Sequence, residues 1–312
     1  MHLRSIARKL FGELVKIARV QVEKKSPTKS ESSLPEIATL IVNVPQARLD
    51  QFLALTFPSL PLARIRQAIN AGNVRVNSRQ TIQGWIVKAG DKVTHQFPIH
   101  HQSSSSTFTL EVLFEDRDLI VINKPVGLQT HPSANQPDTL MNALAVHLLK
   151  HADQQKELIR PMLLHRLDRE TSGVLAIAKS QHAARELSKA FQERCVSKQY
   201  LALVYGVVKD DIGEIDAPIG ENKRQRPHWR VMENGSPAQT RFTVKERFEH
   251  YTLLELEPLT GRTHQLRIHC THIGHAIVGD QIYKGTTRIV DNQLRFKHQL
   301  LHAYKLAFRH PR

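Results

Sequence analysis

The chain has 312 residues, enough for one large domain and a small one with a substantial core. It carries 44 Lys and Arg against 29 Asp and Glu, a formal net charge of +15, which predicts attraction to a polyanion such as nucleic acid. No apolar stretch approaches the roughly 20 residues that a membrane span needs, which excludes an integral membrane protein. Two cysteines, Cys195 and Cys270, are too few for a disulfide framework and fit a reducing compartment.

Residues 1–46 are predicted to be a basic extension followed by a linker. Leucine, isoleucine and valine recur at helical spacing in the first part, with arginine and lysine around them. Such a segment fits a helix that faces RNA or an anionic membrane surface, or an organellar transit peptide, although Glu13 and Glu23 weaken the last interpretation. The expected location is the cytoplasm, with an organelle as the alternative.

Residues 47–99 are predicted to form a small α/β domain. Two helical patterns, the second ending at Gly72, precede short alternating segments that predict strands. This order, with the sequences R-L-D, G-x-V-x-V-N and G-D-x-V, resembles the S4 RNA-binding domain. The resemblance implies that Arg64 and Arg66 on the second helix contact RNA. That helix opens with Ala63 where the S4 family usually has serine, and a generic small α/β domain is the alternative.

A flexible tether is predicted over residues 100–109, which include four consecutive serines. Residues 110–312 then mix many strand patterns with a few helices and lack regular βαβ alternation. This pattern indicates an α+β domain with an antiparallel or mixed sheet. The strongest strand patterns are residues 119–122, 201–208 and 251–256, and Ser180 and Thr263 are predicted helix caps.

A polar run, His165 to Gly173, lies between two apolar stretches that are predicted to be buried. It is therefore a loop held by rigid elements, which is where chemistry concentrates. Asp168 lies between Arg166 and Arg169, and these cations favour the ionised carboxylate that a nucleophile or base requires. On physical grounds alone, a solvated and salt-bridged turn is the favoured alternative.

The sequence of this run, HRLDRETSG, resembles the catalytic motif H-R-L-D-x-x-T-S-G of the RluA family of pseudouridine synthases. The resemblance extends from about residue 47 to the end of the chain, with three more motifs in the family's order. It implies an enzyme that isomerises uridine to pseudouridine in RNA without a cofactor. The other motifs are residues 115–125 continuing to His131-Pro132, Lys198-Gln199-Tyr200, and residues 259–269 followed by Gly279-Asp280 and Leu301-His302-Ala303.

The resemblance also implies roles for individual residues. Asp168 is the expected catalytic carboxylate, which either attacks C1′ to form a covalent intermediate or assists proton loss at C2′ to give a glycal. Arg267 is the expected buried partner of Asp168, with a solvent-facing helix arginine as the alternative. Tyr200 is expected to stack on the target uracil and to take part in proton removal at C5, and Leu266 to pack on the other side of the base.

The target uridine must leave the RNA stack before it can react. Arg166 resembles the family arginine that fills the vacated space. Phosphate contacts are expected from Lys124, Arg169, Lys198 and Arg262.

The expected substrate is large-subunit ribosomal RNA of the 23S type, because an S4 module joined to this catalytic domain is typical of family members that act on it. Transfer RNA is the enzymatic alternative, and a non-catalytic ribosome-assembly factor is the alternative of a different class. The protein is expected to be a monomer. No metal site is expected, because Cys270 and the histidines near it match no usual zinc spacing. Family members usually continue past residue 312 with another short strand, so a looser last sheet edge is expected.

Overall fold

The computed structural model describes most of the chain from residue 38 onward. No helix within these residues is long and apolar enough to cross a membrane. The predicted extension up to residue 37, the tether at residues 100–109 and the His131-Pro132 pair lie outside the described residues. The described ranges are 38–42, 44–57, 60, 62–96, 110–130, 139–150, 161–222, 229–284 and 296–312.

In the small N-terminal domain the described residues form six short strands and two helices. They are β1 (Ala38–Ile41), β2 (Gln46–Arg48), α1 (Leu49–Thr56), α2 (Leu62–Asn70), β3 (Val74–Val76), β4 (Arg79–Gln80), β5 (Ile86–Lys88) and β6 (Lys92–His95).

Strand pairing links this domain to residues that precede the predicted boundary at residue 47. Four strands pair in the order β1, β6, β3, β4, and β2 pairs separately with β5. β1 pairs with β6 along its length, and Val42 and Val44 are buried in the core of this domain, so described residues before residue 47 pack with it. A four-residue strand gives too short a pattern to be distinguished from a linker. The predicted turn at Gly72 is present, with a φ of 79°.

The large domain contains eleven strands and three helices within the described residues. They are β7 (Glu111–Glu115), β8 (Leu119–Lys124), α3 (Leu140–Lys150), β9 (Met162–Leu163), β10 (Ser172–Ala178), α4 (Gln181–Gln192), β11 (Ser197–Tyr205), β12 (Ile212–Asp216), β13 (Ile219–Glu221), β14 (Trp229–Val231), β15 (Gln239–Arg247), β16 (Tyr251–Pro258), α5 (Gln265–His272) and β17 (Leu301–Ala307).

A nine-stranded mixed sheet is the centre of this domain. Its order is β12, β15, β16, β11, β17, β10, β8, β7, and β9 pairs with β10 outside this path. Among the strand pairs that the described residues form in this sheet, only β10–β17 is parallel, which confirms the predicted α+β class with a mixed sheet. The expectation of a loose edge at the end of the chain was wrong, because β17 pairs on both sides in the interior of the sheet.

The continuous apolar sequences of β8 and β10 are explained by burial on both faces of the sheet. On one face, Ile122 and Leu175 pack with Leu144 of α3. On the other face, Leu119 packs with Leu187 of α4. These strands carry the loops that form the site, so the loops start from a rigid base.

Of the two predicted helix caps, one is present and one is not. The Ser180 hydroxyl accepts a hydrogen bond from the Ala183 N–H at the start of α4. The prediction for Thr263 was wrong, because α5 begins one residue later and His264 occupies the cap position without a side-chain cap. The turn is closed instead by the Gln265 side chain, whose Oε1 accepts from the Arg262 N–H at 3.0 Å.

Candidate active site

The register of the central sheet brings two predicted site segments together. Ala303 on β17 pairs with Tyr200 on one side and with Gly173 on the other. Gly173 lies at the start of β10, directly after the loop that carries Asp168, so this loop and Tyr200 lie one strand apart. Gly173 has a φ of 119°, and a Cβ at this position would overlap the Ala303 carbonyl, so only glycine allows this pairing.

Polar groups from neighbouring elements hold the loop between β9 and β10, which we call the Asp168 loop (residues 164–171). The Thr130 hydroxyl donates to the Leu167 carbonyl at 2.8 Å. His165 Nε2 accepts from the Ala176 N–H at 3.1 Å. Burial lowers the pKa of His165 to about 3, so this imidazole is neutral and can act as the acceptor. Both residues flanking Arg166 are therefore fixed.

Lys124 is part of this support and does not face the solvent. Its side chain is fully buried, and Nζ donates to the carbonyls of Pro125, Leu128 and Arg169 at 2.9, 2.8 and 3.1 Å. The expectation that Lys124 contacts phosphate is therefore corrected: its ammonium is enclosed by three carbonyls, one of them in the Asp168 loop. Burial lowers the pKa of Lys124 to about 7.

Asp168, Arg267 and Asp280 form a continuous ion-pair network. Arg267 Nη1 donates to Asp168 Oδ2 at 3.1 Å, while Nε and Nη2 donate to Asp280 at 2.7 and 2.8 Å. The exposed fractions of the three side chains are 19%, 6% and 0%. The expected pairing of Arg267 with Asp168 is thus present, and the alternative of a solvent-facing arginine was wrong.

Asp280 fixes the direction of the guanidinium. Its Oδ1 also accepts from the N–H groups of Ile282 and Tyr283 at 2.8 and 3.0 Å, so the carboxylate itself cannot turn. The Arg267 guanidinium carbon lies 4.9 Å from the centroid of the Tyr283 ring, within the range of a cation–π contact. The remaining nitrogen, Nη1, is the one that reaches Asp168.

A cavity of about 860 Å³ opens above this network. Tyr200 and Leu266, the two residues expected to contact the base, both line this cavity. Burial, with the Asp168 carboxylate as a second cause, raises the pKa of the Tyr200 phenol, which is therefore neutral. The other predicted site residues that line the cavity are Arg166, Asp168, Lys198, Arg262 and Arg267.

The remaining predicted cations lie at the surface. Arg169 is exposed and pairs with its neighbour Glu170 at 3.2 Å. In the small domain Arg64 is exposed, whereas Arg66 donates to the buried carboxylate of Asp50 at 2.9 Å. Arg66 therefore stabilises the small domain through Asp50, while part of its side chain remains exposed to solvent.

Three further site residues were not singled out from the sequence for any role in the reaction. Asp280 was quoted in a motif without a role, and His264 was treated as one of several histidines near Cys270. Tyr283, which contacts both Arg267 and His264, gave no sequence signal. Cys270 itself lies on α5 and is buried in the core, and no group of His, Cys, Asp and Glu within the described residues is arranged to hold a metal ion.

The chain matches known proteins along most of its length. A family described as RNA pseudouridylate synthase matches residues 118–272, and the S4 domain matches residues 47–93. The ribosomal large subunit pseudouridine synthase D of Nitrosomonas europaea is 38% identical over 276 residues, covering 86% of this chain and 79% of that protein. The uncharacterized RNA pseudouridine synthase YlyB of Bacillus subtilis is 36% identical, covering 85% and 86%.

A solved structure agrees with these matches. The human protein RNA Pseudouridylate Synthase Domain Containing 1 superposes with a TM-score of 0.52 at 30% identity, covering 67% of this chain and 80% of that one. Fold, motifs and relatives are thus consistent with one another, and they confirm the family expected from the sequence. The chain belongs to the RluA family of RNA pseudouridine synthases and carries an N-terminal S4 domain.

Proposed function

We propose that this enzyme converts uridine to pseudouridine in large-subunit ribosomal RNA, with Asp168 as the catalytic carboxylate. The observation that carries the proposal is the hydrogen bond from Arg267 to Asp168 at the cavity that Tyr200 lines. The names of several relatives, such as the one from Nitrosomonas europaea, support ribosomal RNA as the substrate. We expect a monomer that acts in the cytoplasm and needs no cofactor or metal.

The two carboxylate oxygens of Asp168 have different surroundings. Oδ2 accepts from Arg267, whereas no hydrogen bond reaches Oδ1 from the described residues. We infer that Oδ1 is the oxygen that meets the substrate. The positive charge of Arg267 compensates the desolvation that a bound base would impose on this carboxylate. Removing one member of such a buried pair typically costs about 3–5 kcal/mol.

Two routes are compatible with this arrangement. In the first, Oδ1 attacks C1′ as the N1–C1′ bond breaks and uracil leaves as an anion. The base turns, C5 attacks C1′, and the carboxylate leaves with the electron pair of the C1′–O bond. In the second, Asp168 removes the C2′ proton to give a glycal and returns it when C5 adds to C1′. Both routes end with loss of the C5 proton, and neither consumes an oxidant, a reductant or another reactant.

Tyr200 contributes a stacking surface to this scheme. Stacking of a base on an aromatic side chain is worth about 1–3 kcal/mol. Because its phenol is neutral, Tyr200 can take up the C5 proton only as it gives up its own proton, so it acts at this step as a relay. Leu266 packs on the opposite side of the uracil.

Cations around the cavity provide the RNA contacts. Arg166 is exposed at the cavity and fills the space that the flipped uridine leaves in the RNA stack. Lys198 and Arg262 at the cavity, and Arg169 beside it in sequence, bind phosphate groups. The exposed Arg64 and the partly exposed Arg66 extend this surface to the S4 domain.

Tritium release from RNA labelled at C5 of uridine tests the proposal, because this hydrogen leaves only when C5 becomes the glycosidic carbon. Wild-type enzyme should release tritium from large-subunit ribosomal RNA, and Asp168→Asn should not. Asp211→Asn is the matched control, because the Asp211 side chain is 82% exposed and lies outside the cavity. Dialysis against EDTA should leave the rate unchanged.

The outcomes separate the candidate substrates. Release from isolated transfer RNA and none from ribosomal RNA would replace the proposed substrate with transfer RNA. Full release by Asp168→Asn would overturn the role of Asp168. Tight RNA binding without release from any RNA would contradict catalysis on these substrates.

A further inference from the structure

The proposed reaction gives no role to the side chain of His264, which lies beside the catalytic carboxylate. Its backbone is left-handed, with a φ of 56°, a conformation that is uncommon for residues other than glycine. The imidazole lines the cavity and does not cap α5. Its Nε2 lies 3.9 Å from Asp168 Oδ2, which is beyond hydrogen-bonding distance. Nε2 is therefore close to the reacting carboxylate without being bound to it.

The other ring nitrogen determines which of the two carries the proton. Nδ1 lies 2.9 Å from the Tyr283 hydroxyl, and this hydroxyl accepts from the Trp229 N–H at 3.1 Å. We assign the phenol as the donor to Nδ1, because its oxygen already accepts from Trp229 and its own proton is available for this bond. Burial lowers the pKa of His264, opposed by the Asp168 carboxylate, so the ring is neutral. Its single proton is then on Nε2, facing the Asp168 end of the cavity.

We propose that His264 Nε2 donates a hydrogen bond to the 2′-hydroxyl of the target uridine and so selects a ribonucleotide over a deoxyribonucleotide at this position. The inference rests on the proposed function, because it requires Asp168 to react at C1′ or at the C2′ proton.

The position of the 2′-oxygen follows from the geometry of the nucleotide. The oxygen is bonded to C2′ and lies two bonds from C1′, so either route brings it within a few ångströms of the Asp168 carboxylate. Arg267 Nη1 is already committed to Asp168, which leaves Nε2 of His264 as a donor at this end of the cavity. A 2′-hydroxyl accepts such a bond, and it is the group by which proteins distinguish RNA from DNA.

The test compares two substrates that differ by one oxygen atom. Once the modified uridine has been located, the shortest RNA fragment that supports tritium release is made with ribose or 2′-deoxyribose at that uridine. For wild type, His264→Phe and His264→Gln, kcat/KM of the ribose fragment is divided by kcat/KM of the 2′-deoxyribose fragment. Phenylalanine keeps a ring against Tyr283 but has no donor, whereas glutamine places an amide donor near the position of Nε2.

The ratio is the informative quantity, because any effect of the 2′-hydroxyl on the chemistry itself is common to all variants. We expect the ratio of wild type to exceed that of His264→Phe by about threefold to tenfold, the value of one hydrogen bond. His264→Gln should recover part of this difference. A ratio that His264→Phe leaves unchanged overturns the proposal.

Tyr283→Phe keeps the proposal testable if His264→Phe is inactive on both fragments. This variant removes the hydroxyl that orients His264, so the ratio should fall between those of wild type and a variant without a donor. An unchanged ratio in Tyr283→Phe then overturns the proposal. Release with unchanged ratios contradicts this inference alone, whereas wild-type enzyme that releases no tritium from any RNA overturns the proposed function and this inference with it.

Discussion

Asp280 holds Arg267 through two parallel hydrogen bonds, from Nε at 2.7 Å and from Nη2 at 2.8 Å. The Asp280 carboxylate is completely buried. An asparagine at this position would turn one acceptor into a donor that faces a guanidinium nitrogen. Arg267 would keep its charge but lose the pairing that directs Nη1 at Asp168.

Asp280→Asn should therefore reduce both stability and activity. We expect the free energy of unfolding to fall by about 3–5 kcal/mol, as for other broken buried pairs. Tritium release should fall about 100-fold, because a small misplacement of a catalytic group has effects of that size. Urea unfolding and single-turnover release check the two effects, with Asp211→Asn as the exposed control. A normal rate in Asp280→Asn would contradict its positioning role.

Gly173→Ala should weaken the junction between the Asp168 loop and the sheet. The added Cβ would overlap the Ala303 carbonyl, and the φ of 119° is strained for any other residue type. The backbone strain alone predicts a loss of about 1–3 kcal/mol in the free energy of unfolding. Gly84→Ala is the matched control, because no atom lies near its added Cβ and its φ is not in the left-handed region. Equal stability of the two variants would refute this reading of Gly173.

The parts of the site that could be predicted from sequence are those carried by contiguous residues. The Asp168 loop lies between two apolar strands. Because β10 is buried on both faces, its sequence is a continuous apolar run, which predicts a buried strand. The ion pair of Arg267 with Asp168 was expected from motif resemblance, since 99 residues separate the partners and no local pattern connects them. The α+β class followed from the irregular order of strands and helices.

The parts that could not be predicted depend on contacts between distant segments. Lys124 follows Asn123 at the end of a strand, where a lysine would ordinarily face solvent. Its burial depends on a carbonyl at Arg169, 45 residues away. His264 was missed as an oriented donor because its direction depends on a left-handed backbone and on the Tyr283 hydroxyl. Neither feature leaves a periodic or compositional pattern in the sequence.

His165→Phe should destabilise the enzyme in a pH-dependent manner. Phenylalanine cannot accept from the Ala176 N–H, and an unsatisfied buried donor costs about 1–3 kcal/mol near neutral pH. The pKa of His165 is about 3 in the folded enzyme, against about 6.5 in an unfolded chain. Between these values the unfolded chain binds more protons, so the stability that His165 contributes is lost as the pH falls from about 6.5.

Urea unfolding of wild type and His165→Phe at pH 7.5 and pH 5 checks this dependence. The advantage of wild type should shrink at the lower pH, with a slope of at most about 1.4 kcal/mol per pH unit. His250→Phe is the control for replacing an imidazole by a phenyl ring, because His250 is half-exposed and lies outside the cavity. A difference that stays constant between the two pH values would contradict a His165 that is neutral in the folded enzyme.

Lys124→Met should loosen the Asp168 loop while removing a buried charge. Three carbonyls lose a donor, although the Arg169 carbonyl keeps its hydrogen bond from the Gly127 N–H at 2.9 Å. Tritium release should fall because the loop is less well fixed. Lys179→Met is the matched control, since Lys179 is also buried but pairs with Glu115 away from the loop, and its release rate should stay near that of wild type.

The stability of Lys124→Met relative to wild type should change with pH in the same direction as that of His165→Phe, but in a higher pH range. The folded pKa of Lys124 is about 7, against about 10.4 in an unfolded chain, so between these values the unfolded chain binds more protons. Wild type should therefore gain stability relative to Lys124→Met as the pH rises from 7 to 9.5, by at most about 1.4 kcal/mol per unit. Urea unfolding across this range measures the difference. A constant difference would mean that the three carbonyls keep the ammonium charged at every pH tested.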